Sequence, residues 1–376
     1  MSEFRFIHTS DLHLGRRFGN LPEEVRGRLM SARSDVLRTV ADAARKHDAT
    51  HVLVAGDLFD TETPSDQVAR QAINAMGAEA ALSWWIIPGN HDSLVAEELW
   101  GRFRRDAPSN VQLLDRSEPV DMAPGVTLLP SPATSRFPGR DLTEWMADAN
   151  TPEGHMRIGL AHGAVQTFSS EDGGAEIIPP DRAETAGLAY LALGDWHGRL
   201  RINDRTHYSG SPERDRFKHA GRGLCLGVTL QGQGAVPSVS EIETGRFDWA
   251  EREVNLTPEL DPKDVLQHQL PPMSDRREDI LLRLRATGWV TLEQRLELGQ
   301  AIRAVAPDFC HFEYDEGRLA TEYRADDLDA IDIGGALRLA ADTLWQEAKE
   351  TELTEENRRV AEAALNRLYT IVRGDL

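Results

Sequence analysis

The sequence predicts an α/β fold in which a sheet-based sandwich, flanked by helices, occupies about the first 250 residues. In the first part of the chain, short apolar runs alternate with longer stretches of helical periodicity, and the later part of this region is rich in strands. After Phe247-Asp248-Trp249 the character changes, because prolines punctuate the chain there. These three observations indicate a sandwich domain followed by a second, smaller domain.

The predicted elements of the first domain begin with a strand at residues 4–9. A long helix then opens near Pro22, a residue suited to the first helical turn, and continues to about His47. The remaining predictions are a helix at residues 66–78 and strands at residues 51–55, 83–88, 126–129, 157–161, 188–193, 224–230 and 237–242.

The chain beyond residue 250 contains a strand, a helix and a strand, predicted at residues 280–284, 291–305 and 309–314. We interpret residues 251–326 as a small second domain and residues 327–376 as helical. Two apolar stripes in this helical part could close on each other or on the core, which is the favoured interpretation, or could dock a partner helix. The stripes consist of Leu337, Ala341, Leu344 and Ala348, and of Ala361, Leu365, Leu368 and Val372.

Composition is ordinary for a globular protein, with 40% apolar and 28% charged residues. The longest apolar runs fall far below the roughly 18 residues that span a membrane, and the N-terminus does not resemble an export signal. Cys225 and Cys310 lack a CxxC spacing, so we expect a reduced, cytoplasmic setting. The net charge of −20 means that any contact with DNA must be local, metal-assisted or supplied by a partner.

Asp11 and His13 follow the first predicted strand directly. In an extended segment, residues i and i+2 point the same way, so both side chains can reach one ion. A carboxylate with an imidazole suits Mn²⁺, Fe or Zn²⁺. Asp57 closes the second strand after Gly56, and its two oxygens could bridge two cations. The Asp-x-His pair alone is weak, because it occurs by chance in many loops. A turn or helix-capping aspartate is the more common explanation for Asp57.

The run Gly89-Asn90-His91-Asp92 closes the third strand and is more specific. Asn90 offers a neutral carbonyl oxygen as a ligand. His91 is a candidate for binding the transferred phosphate or for protonating the leaving oxygen. Asp92 could cap the following helix, which is the favoured role, or could orient His91.

Two later strands also end in ligand-type residues, namely His162 and the pair Asp195 and His197. A parallel-type sheet gathers its strand ends along one edge, where sites are usually built. An isolated histidine is more often packed or exposed than metal-bound. Five strand ends with these donor types, in this order, favour a shared metal site.

These motifs, in this order, resemble the calcineurin-like metallophosphoesterase superfamily over roughly residues 4–245. Residues 9–15 (Thr-Ser-Asp-Leu-His-Leu-Gly) and 208–214 (Tyr-Ser-Gly-Ser-Pro-Glu-Arg) are similar, more narrowly, to its DNA-repair exonuclease branch of SbcD-like nuclease subunits. The resemblance implies a four-layer αββα sandwich with a small α+β cap domain and C-terminal helices. It further implies that residues 251–326 cap the site and recognise DNA, and that residues 327–376 are a candidate docking region for a partner.

The resemblance also implies a two-metal hydrolytic centre, in which two cations roughly 3.5–4 Å apart activate water and neutralise charge on the phosphate. Mn²⁺ is the expected metal, with Mg²⁺ or Fe as alternatives. His91 matches the catalytic histidine of the family, and we group Asp92 with it. The ligands carried over are Asp11, His13 and His197 for one ion, Asn90 and His162 for the other, and Asp57 for both.

One position departs from the family pattern. The family usually has Gly-His-x-His, whereas this chain has Asp195 in place of the first histidine. If Asp195 ligates the second metal, which is the favoured interpretation, the harder donor set should favour Mn²⁺ or Mg²⁺ over Zn²⁺. The alternative is that Asp195 turns away and leaves that metal weakly held.

The leading hypothesis is a metal-dependent DNA exonuclease acting in DNA repair, with endonuclease activity left open. The resemblance implies an SbcC-like ATPase of the SMC type as partner, and a homodimer is a family expectation. The chain has no Walker A motif, so any ATP dependence would come from that partner. Candidates for binding the phosphate backbone are Arg16, Arg17, Arg199 and Arg214, although an arginine-rich surface loop would look the same.

Two other functions stay open at this stage. The same metal core would serve a phosphodiesterase or phosphatase that acts on nucleotides or other small phosphoesters. A non-catalytic scaffold subunit of an ATPase complex is the third hypothesis, with Asp195 as the mark of a decayed site. Trp196 could pack on its strand, which is favoured, or stack on a base.

Overall fold

The computed structural model describes residues 3–166, 178–232, 234–323, 331–332 and 334–372. The chain divides into two compact units, Met1–Trp249 and Ala250–Leu376. None of the helices in these described ranges combines the length and the apolar character that a membrane crossing requires.

The described residues of the first unit form two sheets and four α-helices. Its helices are α1 (Glu23–Lys46), α2 (Asp66–Ala78), α3 (Glu97–Asp106) and α4 (Arg182–Thr185). Its strands are β1 (Phe4–Thr9), β2 (His51–Ala55), β3 (Ser83–Ile87), β4 (Val111–Leu113), β5 (Val120–Ala123), β6 (Val126–Ser131), β7 (Met156–His162), β8 (Tyr190–Gly194), β9 (Leu200–Arg201), β10 (Thr206–Tyr208), β11 (Gly221–Leu230) and the first part of β12 (Ser238–Leu256).

Both sheets of this unit are built around parallel strands. Within this unit the first sheet has the order β12-β11-β1-β2-β3-β4, and β1 to β4 run parallel. In the second the order is β5-β6-β7-β8-β10-β9, with β6, β7, β8 and β10 parallel. The carboxyl ends of β1, β2 and β3 therefore share one edge, as do those of β7 and β8, and loops at such edges are the usual position of a site.

Alternate side chains along the strands of the first sheet belong to two different hydrophobic clusters, one on each face of the sheet. On β2, Val52 and Val54 belong to a buried cluster that includes the apolar faces of α1, α2 and α3. The residues between them, Leu53 and Ala55, belong to a second cluster that includes side chains of the other sheet. Since neighbouring strand residues point to opposite faces, one strand serves both layers.

The second sheet repeats this arrangement with its own outer layer. Tyr190 and Ala192 of β8 face the first sheet, whereas Leu191 and Leu193 pack in a third cluster with residues of α4. The order is thus helices, sheet, sheet and helices, which confirms the predicted four-layer αββα sandwich.

The second unit starts within β12, and its described residues form two further strands and four α-helices. The strands β13 (Ile280–Thr291) and β14 (His311–Glu322) are parallel, with Leu281 opposite His311 at the start of the register. The helices are α5 (Pro262–Gln269), α6 (Leu292–Val305), α7 (Ala336–Lys349) and α8 (Glu355–Val372). The predicted strand–helix–strand unit is confirmed.

Helices α7 and α8 pack on each other through the predicted stripes. Ala341, Leu365 and Tyr369 are buried in one cluster, and Leu344 and Leu368 pack against it. The favoured prediction that the stripes close on each other is confirmed for Ala341, Leu344, Leu365 and Leu368, whereas Leu337 is 46% exposed. The subdivision of the second unit into a capping domain and a separate docking region stays a prediction.

Candidate metal centre

All seven predicted metal-binding side chains form one connected cluster at the carboxyl ends of strands in the first unit. The loop after β1 carries Asp11 and His13, the loop after β2 carries Asp57, and the loop after β3 carries Asn90. From the second sheet, β7 ends at His162, and β8 is followed by Asp195 and His197.

Asp57 lies at the middle of this cluster. Its Oδ2 atom is 3.6 Å from His13 Nε2 and also 3.6 Å from His162 Nε2. The other oxygen accepts a hydrogen bond from the backbone N–H of His91 at 2.9 Å. The carboxylate is therefore held by the backbone on one side and faces two separate imidazoles on the other, as a carboxylate shared by two cations would.

Asp11, His13 and His197 form the first side of the centre. One potential ligand atom of each lies within 4.8 Å of those of the other two. His13 Nε2 is 3.3 Å from His197 Nε2, and the two rings are stacked. A carboxylate and two imidazole nitrogens at this spacing suit a divalent transition metal.

Asn90, His162 and Asp195 form the second side. Asp195 Oδ1 accepts a hydrogen bond from Asn90 Nδ2 at 3.2 Å and lies 3.8 Å from His162 Nε2. The Asp195 carboxylate is thus turned toward the other donors of this side. Within the described residues, Asn90 Oδ1 and His162 Nε2 are buried without a hydrogen-bond partner, and such atoms fit a metal ligand.

The backbone is strained at four of these positions. Asp11, His13, Asp57 and Asp195 have φ values of 54°, 45°, 53° and 101°. Positive φ is uncommon for residues with a Cβ, and such outliers persist only when surrounding structure enforces them. Their concentration on predicted ligands indicates that the loops are shaped for the site.

Two glycines allow the loops to approach each other. A Cβ on Gly89 would lie 2.1 Å from Asp57 Oδ1, and one on Gly194 would lie 1.9 Å from the Ala55 carbonyl oxygen. Any larger residue would displace Asp57 or separate β2 from β8. The Gly-Asn-His-Asp and Gly-Asp-Trp-His motifs need their glycines for this close packing.

Acidic residues outside the predicted set orient two of the histidines. His13 Nδ1 lies 3.4 Å from Asp60 Oδ1, and His197 Nδ1 lies 3.4 Å from Asp215 Oδ1. A carboxylate on one ring nitrogen fixes the tautomer and directs the other nitrogen toward a metal. His162 differs, because its Nδ1 lies 2.8 Å from the Ala55 carbonyl oxygen.

Arg16 joins the two orienting carboxylates. Its guanidinium lies 3.1 Å from Asp60 Oδ1 and 3.3 Å from Asp215 Oδ2. Asp215 would have a raised pKa from burial alone, but its contact with His197 and the charges of Arg216 and Arg33 hold its pKa well below the usual range. Both carboxylates are therefore placed to stay ionised.

The segment at residues 208–214 supports the site through the backbone. Ser211 Oγ donates to the Asp11 carbonyl oxygen at 2.7 Å, and Tyr208 Oη donates to the Gly163 carbonyl oxygen at 2.7 Å. Buried Arg33 of α1 donates to the carbonyl oxygens of Leu12 and Arg214 at 2.9 and 3.1 Å. The Ser211 and Arg33 contacts fix the loop that carries Asp11 and His13, and the Tyr208 contact holds the residue that follows His162.

His91 and Asp92 occupy different positions. The His91 ring lies 4.8 Å from that of His13, and its Nδ1 is 3.1 Å from the Asp60 carbonyl oxygen. The carboxylate of Asp92 is buried and accepts hydrogen bonds from the N–H groups of Gly89 and Phe59 at 2.7 and 2.9 Å. The prediction that Asp92 caps the following helix is wrong, because α3 starts at Glu97 without a side-chain cap.

The four arginines predicted to bind substrate differ in their surroundings. Arg214 is 5% exposed and donates to the His197 carbonyl oxygen. Arg199 lies 3.2 Å from both His207 and Glu241. Arg16 forms ion pairs with Asp60 and Asp215, whereas Arg17 is exposed. The structure thus places Arg16 and Arg214 as supports of the metal centre, and their role in substrate binding stays a prediction.

The candidate ligands also differ in the direction in which their pKa values are shifted. Burial raises the pKa of Asp57 well above its ordinary value. Burial alone would lower the pKa of His162, but the charges of Asp57, Asp11 and Asp195 raise it to about 9. Burial lowers the pKa of His13 to about 3. Divalent cations fit this pocket because they would neutralise three clustered carboxylates.

The model of the calcineurin-like phosphoesterase family matches residues 4–199, just over half of the chain. Uncharacterized metallophosphoesterase YhaO of Bacillus subtilis is 28% identical over 236 residues, which cover 59% of this chain and 56% of YhaO. The SbcD component of the SbcCD nuclease of Escherichia coli is 31% identical over 284 residues, covering 63% of this chain and 68% of SbcD.

The DNA double-strand break repair protein Mre11 of Methanosarcina acetivorans is 26% identical over 270 residues, covering 65% of this chain and 40% of that protein. The chain thus spans about half the length of YhaO and Mre11. With this match over more than half of its length, and with a cluster of side chains that could hold metal ions, the chain belongs to the calcineurin-like phosphoesterase family of hydrolases.

Proposed function

We propose that the chain is a metal-dependent DNA nuclease that hydrolyses phosphodiester bonds with two divalent cations. The observation that carries this proposal is the position of Asp57, whose Oδ2 is equally distant, at 3.6 Å, from a histidine on each side. The substrate is inferred from relatives, because one is named as part of a nuclease and another as a DNA repair protein.

In this proposal Asp57 binds both metals. Asp11, His13 and His197 hold the first, and Asn90, His162 and Asp195 hold the second. When bound, the metals would supply an activated water and positive charge for the phosphate oxygens. Mn²⁺ is the metal we propose, because the donor set combines carboxylate and amide oxygens with imidazoles.

His91 is proposed as the group that protonates the leaving oxygen. The Asp60 carbonyl oxygen accepts from its Nδ1, so Nε2 is the nitrogen that can carry this proton. The backbone N–H of His91 donates a hydrogen bond to Asp57 Oδ1, and this bond fixes the loop that carries the imidazole. Asp92 acts as a positioning residue, because its carboxylate holds the N–H groups of Gly89 and Phe59 on the two adjoining loops.

The test compares the wild-type chain with His91→Ala on linear duplex DNA, single-stranded DNA and bis(4-nitrophenyl) phosphate in Mn²⁺. We expect Mn²⁺-dependent cleavage of DNA by the wild type. Loss of a general acid typically lowers a rate by about 10²–10⁴-fold, so the rate of DNA cleavage by His91→Ala should fall by that factor. Its bound metal, measured by elemental analysis, should be unchanged. Undiminished DNA cleavage by His91→Ala would refute the assigned role.

A phosphodiesterase for small phosphoesters is the second candidate, and the similarity to YhaO, a metallophosphoesterase of uncharacterized activity, favours keeping it. The metal centre serves either substrate. Cleavage of the chromogenic diester with no cleavage of either DNA would select this candidate over the nuclease.

We also propose an SMC-type ATPase of the SbcC kind as a partner, since one relative is a component of the SbcCD nuclease. A homodimer and a cytoplasmic location complete the proposal. Co-expression of the chain with an SbcC-like ATPase, followed by size-exclusion chromatography with light scattering, tests both assemblies. Monomeric chain that elutes apart from the ATPase would argue against them.

A further inference from the structure

The segment at residues 132–140 joins β6 to the residues beside His162, and we call it the Arg136 loop. Its sequence is Pro-Ala-Thr-Ser-Arg-Phe-Pro-Gly-Arg, with two arginines and no acidic residue in a chain of net charge −20. Within the described part of the chain, neither Arg136 nor Arg140 has a carboxylate at ion-pair distance. The loop is a local exception to the acidic character of the protein.

One end of this loop is fixed to the loop that carries His91. The N–H of Ala133 donates to the Pro88 carbonyl oxygen at 3.0 Å, and the N–H of Leu94 donates to the Ala133 carbonyl oxygen at 2.9 Å. Pro88 and Leu94 flank the Gly-Asn-His-Asp motif on either side. The Arg136 loop therefore starts next to the proposed catalytic histidine.

The other end is fixed beside His162. Arg182 donates to Asp141 Oδ2 at 2.6 Å and to Thr143 Oγ1 at 3.0 Å. Residues 140–143 line a small cavity together with His162 and Gly163. The loop thus extends from the His91 side of the metal centre to the His162 side, and both of its ends are anchored.

The tip between these anchors presents an aromatic ring and positive charge to solvent. The side chain of Phe137 is 75% exposed, and the guanidinium of Arg136 lies 5.8 Å from the centre of its ring. Burial is the main cause that lowers the pKa of His91, and the charge of Arg136 contributes to the same effect. A solvent-facing ring with a guanidinium beside it is a surface on which a base can stack while its phosphate meets a positive charge.

We propose that the Arg136 loop binds the unpaired strand of a nucleic acid next to the cleaved phosphodiester. Phe137 stacks on an exposed base, and Arg136 and Arg140 contact the phosphates on either side of it. This inference rests on the proposed nuclease function and gives it a substrate class. Aromatic rings with adjacent cations are the usual means of binding single strands without sequence preference.

The chemistry favours a single strand over the alternatives. Stacking on Phe137 needs a base whose face is free, and bases inside a duplex are already stacked on their neighbours. A small phosphoester at the metal centre would have no flanking phosphate for a second arginine. Two arginines separated by an aromatic side chain match a strand in which phosphates and bases alternate.

The test measures binding in the absence of metal, so that catalysis does not enter. A fluorescein-labelled oligothymidylate is titrated with full-length protein in EDTA, and anisotropy gives the dissociation constant at several salt concentrations. Phe137→Ala should weaken binding by about fivefold or more. Arg136→Ala should reduce the slope of log K against log salt by about 0.7, the value for one lost phosphate contact on a single strand.

Two control variants lie near the amino-terminal end of β1, away from its carboxyl end, which leads to the metal centre. Arg5→Ala removes a positive charge at the start of β1, and Val236→Ala removes a side chain that is 61% exposed near the end of β11, which pairs with the start of β1. Both should bind the oligonucleotide as the wild type does. Mn²⁺-dependent hydrolysis of bis(4-nitrophenyl) phosphate should be unchanged in these controls.

The outcomes separate this inference from the proposed function. If the wild type cuts DNA while Arg136→Ala and Phe137→Ala bind the oligonucleotide normally, the loop proposal is overturned and the nuclease proposal stands. If the wild type cuts the small diester but neither binds nor cuts DNA, the nuclease proposal itself fails. Weaker binding of both variants, with normal binding by both controls, supports the loop proposal.

Discussion

The two sides of the metal centre are supported by different means. On the first side, His13 and His197 each face a buried or half-buried carboxylate, Asp60 or Asp215, and Arg16 joins the two. On the second side, the single histidine is held by a main-chain carbonyl oxygen, and the other donors are Asn90 and Asp195.

This difference predicts two sites of unequal strength. Carboxylates behind imidazoles raise ligand basicity and fix the ring orientation, so the first side should bind its metal more tightly. The second side has a harder, more oxygen-rich donor set and fewer supports for its histidine.

Removing the shared carboxylate should have the largest effect. Asp57→Ala should lose the second metal, weaken the first, and reduce phosphodiesterase activity by more than the roughly 100-fold that a supporting residue typically costs. Metal content and rate are measured together, with circular dichroism to confirm folding. Asp57→Asn is the matched variant, because asparagine tolerates the positive φ of this position. Two tightly bound metals in Asp57→Ala would contradict the shared role.

The supports of the first side come next in size. Asp215→Asn should lower metal affinity by about 10–100-fold, because His197 loses the carboxylate that orients it. Isothermal titration with Mn²⁺ should show this loss in the tighter of two binding events. Glu241→Gln, which removes an acidic partner of Arg199 outside the centre, serves as the control. A loss confined to the weaker event would reverse the assignment of the two sides.

Substitution of Asp195 should have a smaller effect, which is a change in the preference between metals. Asp195→His restores the donor pattern that is usual in the family, and a softer nitrogen donor should shift preference from Mn²⁺ toward Zn²⁺ by about tenfold. Competition titrations with the two metals measure this ratio. Asp195→Asn keeps the size of the side chain and removes its charge, and it should weaken the second metal without the shift. An unchanged ratio in Asp195→His would show that the residue does not ligate.

The donors of both sides could be predicted from the sequence because each follows an apolar strand. After their first residue, β2 and β3 are apolar and buried on both faces, so their ends are easy to place. Parallel topology brings these ends together. The short strands β4 and β5 were not predicted, because they are only three and four residues long and partly exposed. Their register depends on neighbours rather than on their own pattern.

The supports could not be predicted in the same way. Asp60 and Asp215 do not follow a strand of their own, and each acts through a histidine that is distant in the sequence. Arg16 and Arg214 were predicted from their charge, but charge does not indicate whether a guanidinium faces substrate or a buried carbonyl oxygen. The Arg136 loop carries no recognisable motif, and its position next to His91 depends on two backbone hydrogen bonds.

Metal affinity at the two sides should depend differently on pH. In the metal-free protein the pKa of His162 is raised to about 9, so this imidazole is protonated at neutral pH and the second metal must displace a proton. The pKa of His13 is lowered to about 3, so that ligand is already neutral. Affinity at the second side should therefore rise with pH below pH 9, by up to about tenfold per unit for the proton on His162. Calorimetry in buffers of different ionisation enthalpy should detect proton release with the weaker event, and release with the tighter event alone would contradict the assignment.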